Sequence, residues 1–118
     1  MQPTIVACAY APEGYEKILL LFLPPTIEQR VLAILRRVEA VSELYHFPDE
    51  CIIPTPIADM KLIMVAIDDA YSAKRTAEEV KAKVVWANVT LIATEMEPAW
   101  AAQYAELIRI ASRISDIN

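Results

Sequence analysis

The chain has 118 residues, enough for one domain and too few for two separate cores. It is 56% apolar and carries a formal net charge of -5, a composition that must bury a core and excludes intrinsic disorder. Gly14 is the only glycine, which excludes a P-loop, a GxGxxG turn and an EF-hand, each of which needs glycine where backbone turns tightly or approaches a ligand.

Residues 4–10 read as a strand. Pro12 and Gly14 then mark a turn: Pro presets φ, and Gly takes a left-handed position. A second strand follows at 15–23, and the two are predicted to form a hairpin. The run 18–23 does not alternate, the mark of a strand buried on both faces. Pro24 and Pro25 stop it. Thr26, with Gln29 three residues on, fits a capping box. A helix is predicted from there to about His46, because Ile27, Val31, Ile34, Leu35, Val38, Val41 and Tyr45 share a face at helical spacing.

Residues 47–60 read as irregular, held extended by Pro48, Pro54 and Pro56, with a short edge strand at 51–53. The run 62–67 is predicted to be a second strand buried on both faces, central and adjacent to 18–23. Asp68 and Asp69 end it. A helix at 71–86 follows, with a narrow inner face of Ala73, Ala77, Val80 and Val84 and i,i+4 charge pairs outside. Residues 89–94 form the last predicted strand, and Pro98 opens a helix running to about 115. Strands alternating with helices predict an α/β domain over residues 1–118. Its expected form is a small Rossmann-like or flavodoxin-like mixed, mostly parallel sheet of four or five strands with three helices, lacking either family's glycine loop.

In a parallel sheet the strand-to-helix junctions line one edge, where ligands bind. Thr26, Asp68, Asp69 and Glu95 are therefore the candidate crevice residues. Asp68, Asp69 and Glu95 could hold Mg²⁺, which takes oxygen ligands and can activate water against a phosphodiester. Acids before a helix also simply cap it, so one of the Asp68–Asp69 pair is expected to cap and the other to face the crevice. His46 has no recognisable nucleophile partner. One His and two separated cysteines do not make a zinc site, and Cys8 and Cys51 read as buried free thiols. No apolar run reaches the length of a membrane span, and no signal peptide is recognisable, so a cytoplasmic setting is expected. The acidic, interleaved charge carries no basic stripe for duplex nucleic acid.

The last helix is apolar over about 200° of its circumference, wider than one sheet face needs. A homodimer is therefore expected, with Trp100, Tyr104, Ile110 and Ile117 at the interface. Trp86 and Trp100 read as core or interface anchors. The sequence favours a non-catalytic oligomeric module that binds a protein or small ligand. A metal-dependent hydrolase of nucleotides or phosphodiesters, and an acidic inhibitor masking a partner's basic site, are the alternatives.

Overall fold

The structure, a computed structural model, describes residues 2–15, 17–46, 60–109, 111 and 113–114. Strands β1 (Thr4–Tyr10) and β2 (Ile18–Leu23) open the chain. They pair antiparallel, and the turn between them puts Gly14 at φ 94, a left-handed conformation that suits glycine. A 3-10 turn at Pro25–Ile27 leads into α1 (Glu28–Leu35), then β3 (Val41–His46), β4 (Lys61–Ile67), α2 (Ala73–Val84), a second 3-10 turn (Val85–Ala87), β5 (Val89–Glu95) and α3 (Pro98–Ile108).

The five strands form one sheet in the order β3-β4-β2-β1-β5. Only β1 and β5 run parallel; the β1–β2, β2–β4 and β3–β4 pairs are antiparallel. The expected mostly parallel, Rossmann-like sheet is thus corrected to a mixed, mostly antiparallel one. From β2 onward the order is β-α-β-β-α-β, two interlocked split β-α-β units, with β1 inserted between β2 and β5.

The difference starts at the first helix. It ends at Leu35 rather than near 46, and a strand occupies the stretch where helical spacing seemed to continue. Tight backbone bonds, Arg37 N to Ile34 O and Val38 N to Leu35 O, both 3.0–3.1 Å, close the helix without any left-handed residue. Val41 and Tyr45 suit a half-buried pleated surface at least as well as a helix. This strand pairs antiparallel with β4, and β4 in turn with β2, so the crossover from β2 skips one strand. The predicted edge strand at 51–53, Cys51, and the proline-rich residues 47–59 lie outside the described residues.

The two runs read as buried on both faces are β2 and β4, and they are interior neighbours. All six residues of β2 are buried because a helical layer covers each face. Leu19, Leu21 and Leu23 point toward α1 and α2, where they meet Val31, Leu35, Ala77 and Val80. Ile18, Leu20 and Phe22 point the other way and join Leu62, Met64, Ala101 and Tyr104 beneath α3. Each such side chain contributes about 1.5–3 kcal/mol of burial.

Helix α2 is set by its ends. The Ser72 hydroxyl accepts from Arg75 N at 3.2 Å, which satisfies one free amide of the first turn. Lys81 and Lys83 lie in the last turn, where the dipole favours cations. Asn88 ends the following 3-10 turn at φ 61, ψ 44, a left-handed position that Asn tolerates better than most residues.

Candidate functional site

Strand direction decides where the predicted crevice residues fall. β2 runs opposite to β4, so its exit, carrying Pro24 and Thr26, lies at the other end of the sheet from Asp68. Thr26 sits exposed in the 3-10 turn, and Ile27, not Thr26, occupies the N-cap of α1. The exits of β4 and β5 do share an end, but β2 and β1 stand between them. Three strand spacings separate Asp68 from Glu95, about 14 Å, so the two carboxylates are not brought together to share an ion. Among the described residues no group of three or more His, Cys, Asp or Glu is placed to hold a metal.

The carboxylates have local work instead. Asp68 Oδ1 accepts from Ala70 N at 3.0 Å, while Asp68 N donates to Ala40 O at 2.8 Å. That side chain closes the turn leading to Ser72, which is the residue that caps α2. Lys17 Nζ donates to the carbonyl of Asp69. The N-cap of α2 is Ser72 and neither aspartate, so the expectation that one of the Asp68–Asp69 pair caps the helix is corrected.

Glu95 lines a groove of about 370 Å³ between the hairpin turn and the start of α2, together with Tyr10, Tyr15, Lys17, Lys74 and Arg75. Carboxylates and cations both line it, so it presents no single-sign field that would select a polyanion. The Ser72 hydroxyl in its wall is already engaged as the cap.

Other reactive groups stand apart. Cys8 is buried on the α1/α2 side, and desolvation pushes its thiol up to about 12, so it is neutral and unreactive near pH 7. His46 ends β3 opposite Ile63 rather than sitting at a helix end. Near it Arg113 grips Glu43 through two contacts of 2.7 Å, Nε to Oε2 and a terminal nitrogen to Oε1. Burial and the neighbouring Glu43 raise the Tyr45 hydroxyl above its ordinary range. At the base of α1, Glu28, nearly buried, pairs with Lys61 Nζ at 3.2 Å.

The predicted interface residues divide. Tyr104 is buried in the chain's own core under α3, Trp100 is about half exposed, and Ile110 and Ile117 lie outside the described residues. Sequence reading singled out Trp86 and Trp100 as core or interface anchors but missed Ile5, Val85 and Ile92. The exposed large apolar side chains among the described residues are Ile5, Tyr15, Val85, Trp86, Ile92 and Trp100. Five of these six, all but Tyr15, belong to β5, to its two flanks or to the adjoining strand. Trp86 is 93% exposed just before β5, and Trp100 lies just after it. Ile92 is 53% exposed at the middle of β5, and Ile5 is 61% exposed on β1, paired in register with Thr90. The signal was present in the alternation of Val89 and Leu91 with Thr90, Ile92 and Thr94, which leaves Ile92 on the face opposite the main core.

No helix among the described residues is long and apolar enough to cross a membrane. Compared with protein families, with curated proteins and with solved structures, the chain matches none.

Proposed function

We propose that this protein is a non-catalytic interaction module that binds its partner through the apolar surface around β5. The observation that carries the reading is that Ile5 and Ile92 stand exposed on the adjoining strands β1 and β5, with exposed Val85 and Trp86 before β5 and exposed Trp100 after it. Large apolar side chains exposed along one strand and its flanks favour an interaction site, whereas singly scattered ones mean little. Tryptophan is also the residue type most enriched among energetic anchors of interfaces. The scatter of Cys8, His46, Asp68 and Glu95 over different elements supports a binding role over a catalytic one. A buried free thiol suits a reducing compartment such as the cytoplasm.

The test is affinity capture with the immobilised chain in three forms: unaltered, Trp86→Ala and Lys74→Ala. A partner retained by the unaltered chain and by Lys74→Ala, and lost by Trp86→Ala, supports the reading. Retention lost only with Lys74→Ala moves the site to the groove beside α2. A turnover activity abolished by Asp68→Asn or Glu95→Gln overturns it.

A further inference from the structure

We infer that two copies of this chain join through the free edges of β5 into one continuous sheet, paired antiparallel about a twofold axis at Ile92. The inference rests on the interaction-module reading and names its partner as a second copy.

The sheet has two edges, and they are treated differently. The β3 edge is closed. Its pairing with β4 is interrupted by a register shift between Val41 and Glu43. Arg113 bridges antiparallel to Tyr45 on its outer side, and Ile114 N donates to Leu44 O at 3.0 Å. A bulge, a charged pair and a covering segment are the usual devices that protect an edge from pairing.

Among the described residues the β5 edge has none of these. Its register with β1 is unbroken from Thr4–Val89 to Tyr10–Glu95. It contains no Pro, Lys or Arg, and its only charge is Glu95 at the end. The backbone shows which groups are free. Thr4 N donates to Asn88 O at 3.0 Å, and Met96 N donates to Tyr10 O at 2.9 Å. In a parallel ladder alternate residues bond to the neighbour, so Asn88, Thr90, Ile92, Thr94 and Met96 turn their amides and carbonyls toward β1. Val89, Leu91, Ala93 and Glu95 turn theirs outward. Among the described residues no backbone group bonds to them from that side.

These free groups are self-complementary in one register. With Ile92 opposite its own copy, Leu91 faces Ala93 and Val89 faces Glu95. All of them are outward residues, so every free N–H of β5 meets a free C=O of the other copy. Shifting the centre to Leu91 or Ala93 leaves one end of the ladder unpaired. In the Ile92 register the exposed face is also matched. Thr90 meets Thr94, and Ile92 meets Ile92, both at non-hydrogen-bonded positions where side chains approach closely. Thr–Thr and paired β-branched contacts are favourable there, and no like charges stand opposite one another.

The strand alone buries less than the roughly 1,200 Å² of a stable interface. The antiparallel register supplies more, because it lays the β5 entry, with Val85 and Trp86, alongside the exit of the other copy, with Pro98 and Trp100. Of the side chains exposed in one copy, this pairing sets Ile92 against Ile92 and brings Trp86 toward Trp100 of the other copy.

Cross-linking tests the register directly. Each variant is made in the full chain with Cys51→Ser, leaving Cys8 buried and unreactive. A non-hydrogen-bonded pair places its Cα atoms about 4.5 Å apart, within disulfide range. Ile92→Cys should therefore form an interchain disulfide under mild oxidation. Thr90→Cys should not, because its two copies lie about 13 Å apart along the strands. Light scattering of the unaltered chain should give twice 13.2 kDa at about 100 µM. Ile92→Lys, which sets two cations against each other, and Ala93→Pro, which removes an outward N–H, should each weaken the dimer about tenfold or more with the circular dichroism spectrum unchanged. Should Ala93→Pro fail to fold, the cysteine pair still decides. Three results overturn the inference: a monomer at that concentration, equal cross-linking by Thr90→Cys and Ile92→Cys, or a dimer indifferent to Ile92→Lys. A monomer that still captures a different protein through Trp86 overturns the self-pairing and leaves the interaction-module reading standing.

Discussion

The thiol of Cys8 makes the fold's stability depend on alkaline pH in a calculable way. It sits 2% exposed in the core, and desolvation raises its pKa from 9.0 to about 12. The folded chain therefore keeps a proton that the unfolded chain releases above pH 9. Its contribution is complete below pH 9 and declines as pH rises toward 12. At pH 10.5 the unfolded thiol is ionised and the folded one is not, a difference of about 2 kcal/mol at 1.36 kcal/mol per pH unit. Cys8→Ala lacks this linkage and otherwise differs by a cavity cost that pH does not change. Tyr45, Tyr71 and Tyr104 also have raised hydroxyls, but they are present in both proteins and cancel. Urea unfolding at pH 8 and pH 10.5, with the thiols kept reduced, should show the unaltered chain losing about 2 kcal/mol more than Cys8→Ala. Parallel losses in the two proteins would mean that the thiol reaches solvent, and the packing of Cys8 between β1 and the α1/α2 layer would be refuted.

Three further outcomes follow from single contacts. Asn88→Val should cost about 1–2 kcal/mol in chemical unfolding, because a β-branched side chain is forced to φ 61, whereas Asn88→Gly should be near neutral. Lys61→Ala leaves the nearly buried carboxylate of Glu28 without its cation. A double-mutant cycle with Glu28→Gln should give a coupling above the ~1 kcal/mol ceiling of exposed pairs. Tyr104→Ala should cost about 3 kcal/mol and raise amide exchange in α3 far more than in α2, since Tyr104 anchors α3 on Leu20 and Met64.

Much of the fold could be read from local chemistry. Gly14, the only glycine, marked the left-handed turn of the hairpin, and the unbroken apolar runs marked β2 and β4 as strands covered on both faces. Direction could not be read the same way. A strand sandwiched between two helical layers shows the same continuous apolar run whether its neighbours are parallel or antiparallel. β3 was hidden because Val38, Val41 and Tyr45 extend the spacing of Ile34, and the reversal at 36–40 uses neither Gly nor Pro. Losing that strand reversed the inferred sense of β2 and so placed Thr26 on the wrong edge. Asp68 and Glu95 do leave the sheet at the same end, but the order that puts β2 and β1 between β4 and β5 is not written in any one strand. The exposed face of β5 was legible in its alternation. Its lateral position was not, because an edge is a property of the whole sheet and not of one strand's residues.

The insertion of β1 between β2 and β5 governs the order in which the molecule can assemble. β1 finds one neighbour at once, since β2 follows through a short turn. Its other neighbour begins about 85 residues later, so joining Thr4 to Val89 closes a loop of about that length. That closure adds an entropic barrier that local hairpins do not face, and contacts so distant in sequence slow folding. A nascent chain halted before Val89 would hold β2, β3 and β4 in register while one side of β1 stayed open to solvent. Synthesis must run past Glu95 before that side is sealed, so β5 acts as the closing step of a sheet in which β1 has until then stood paired on one side alone.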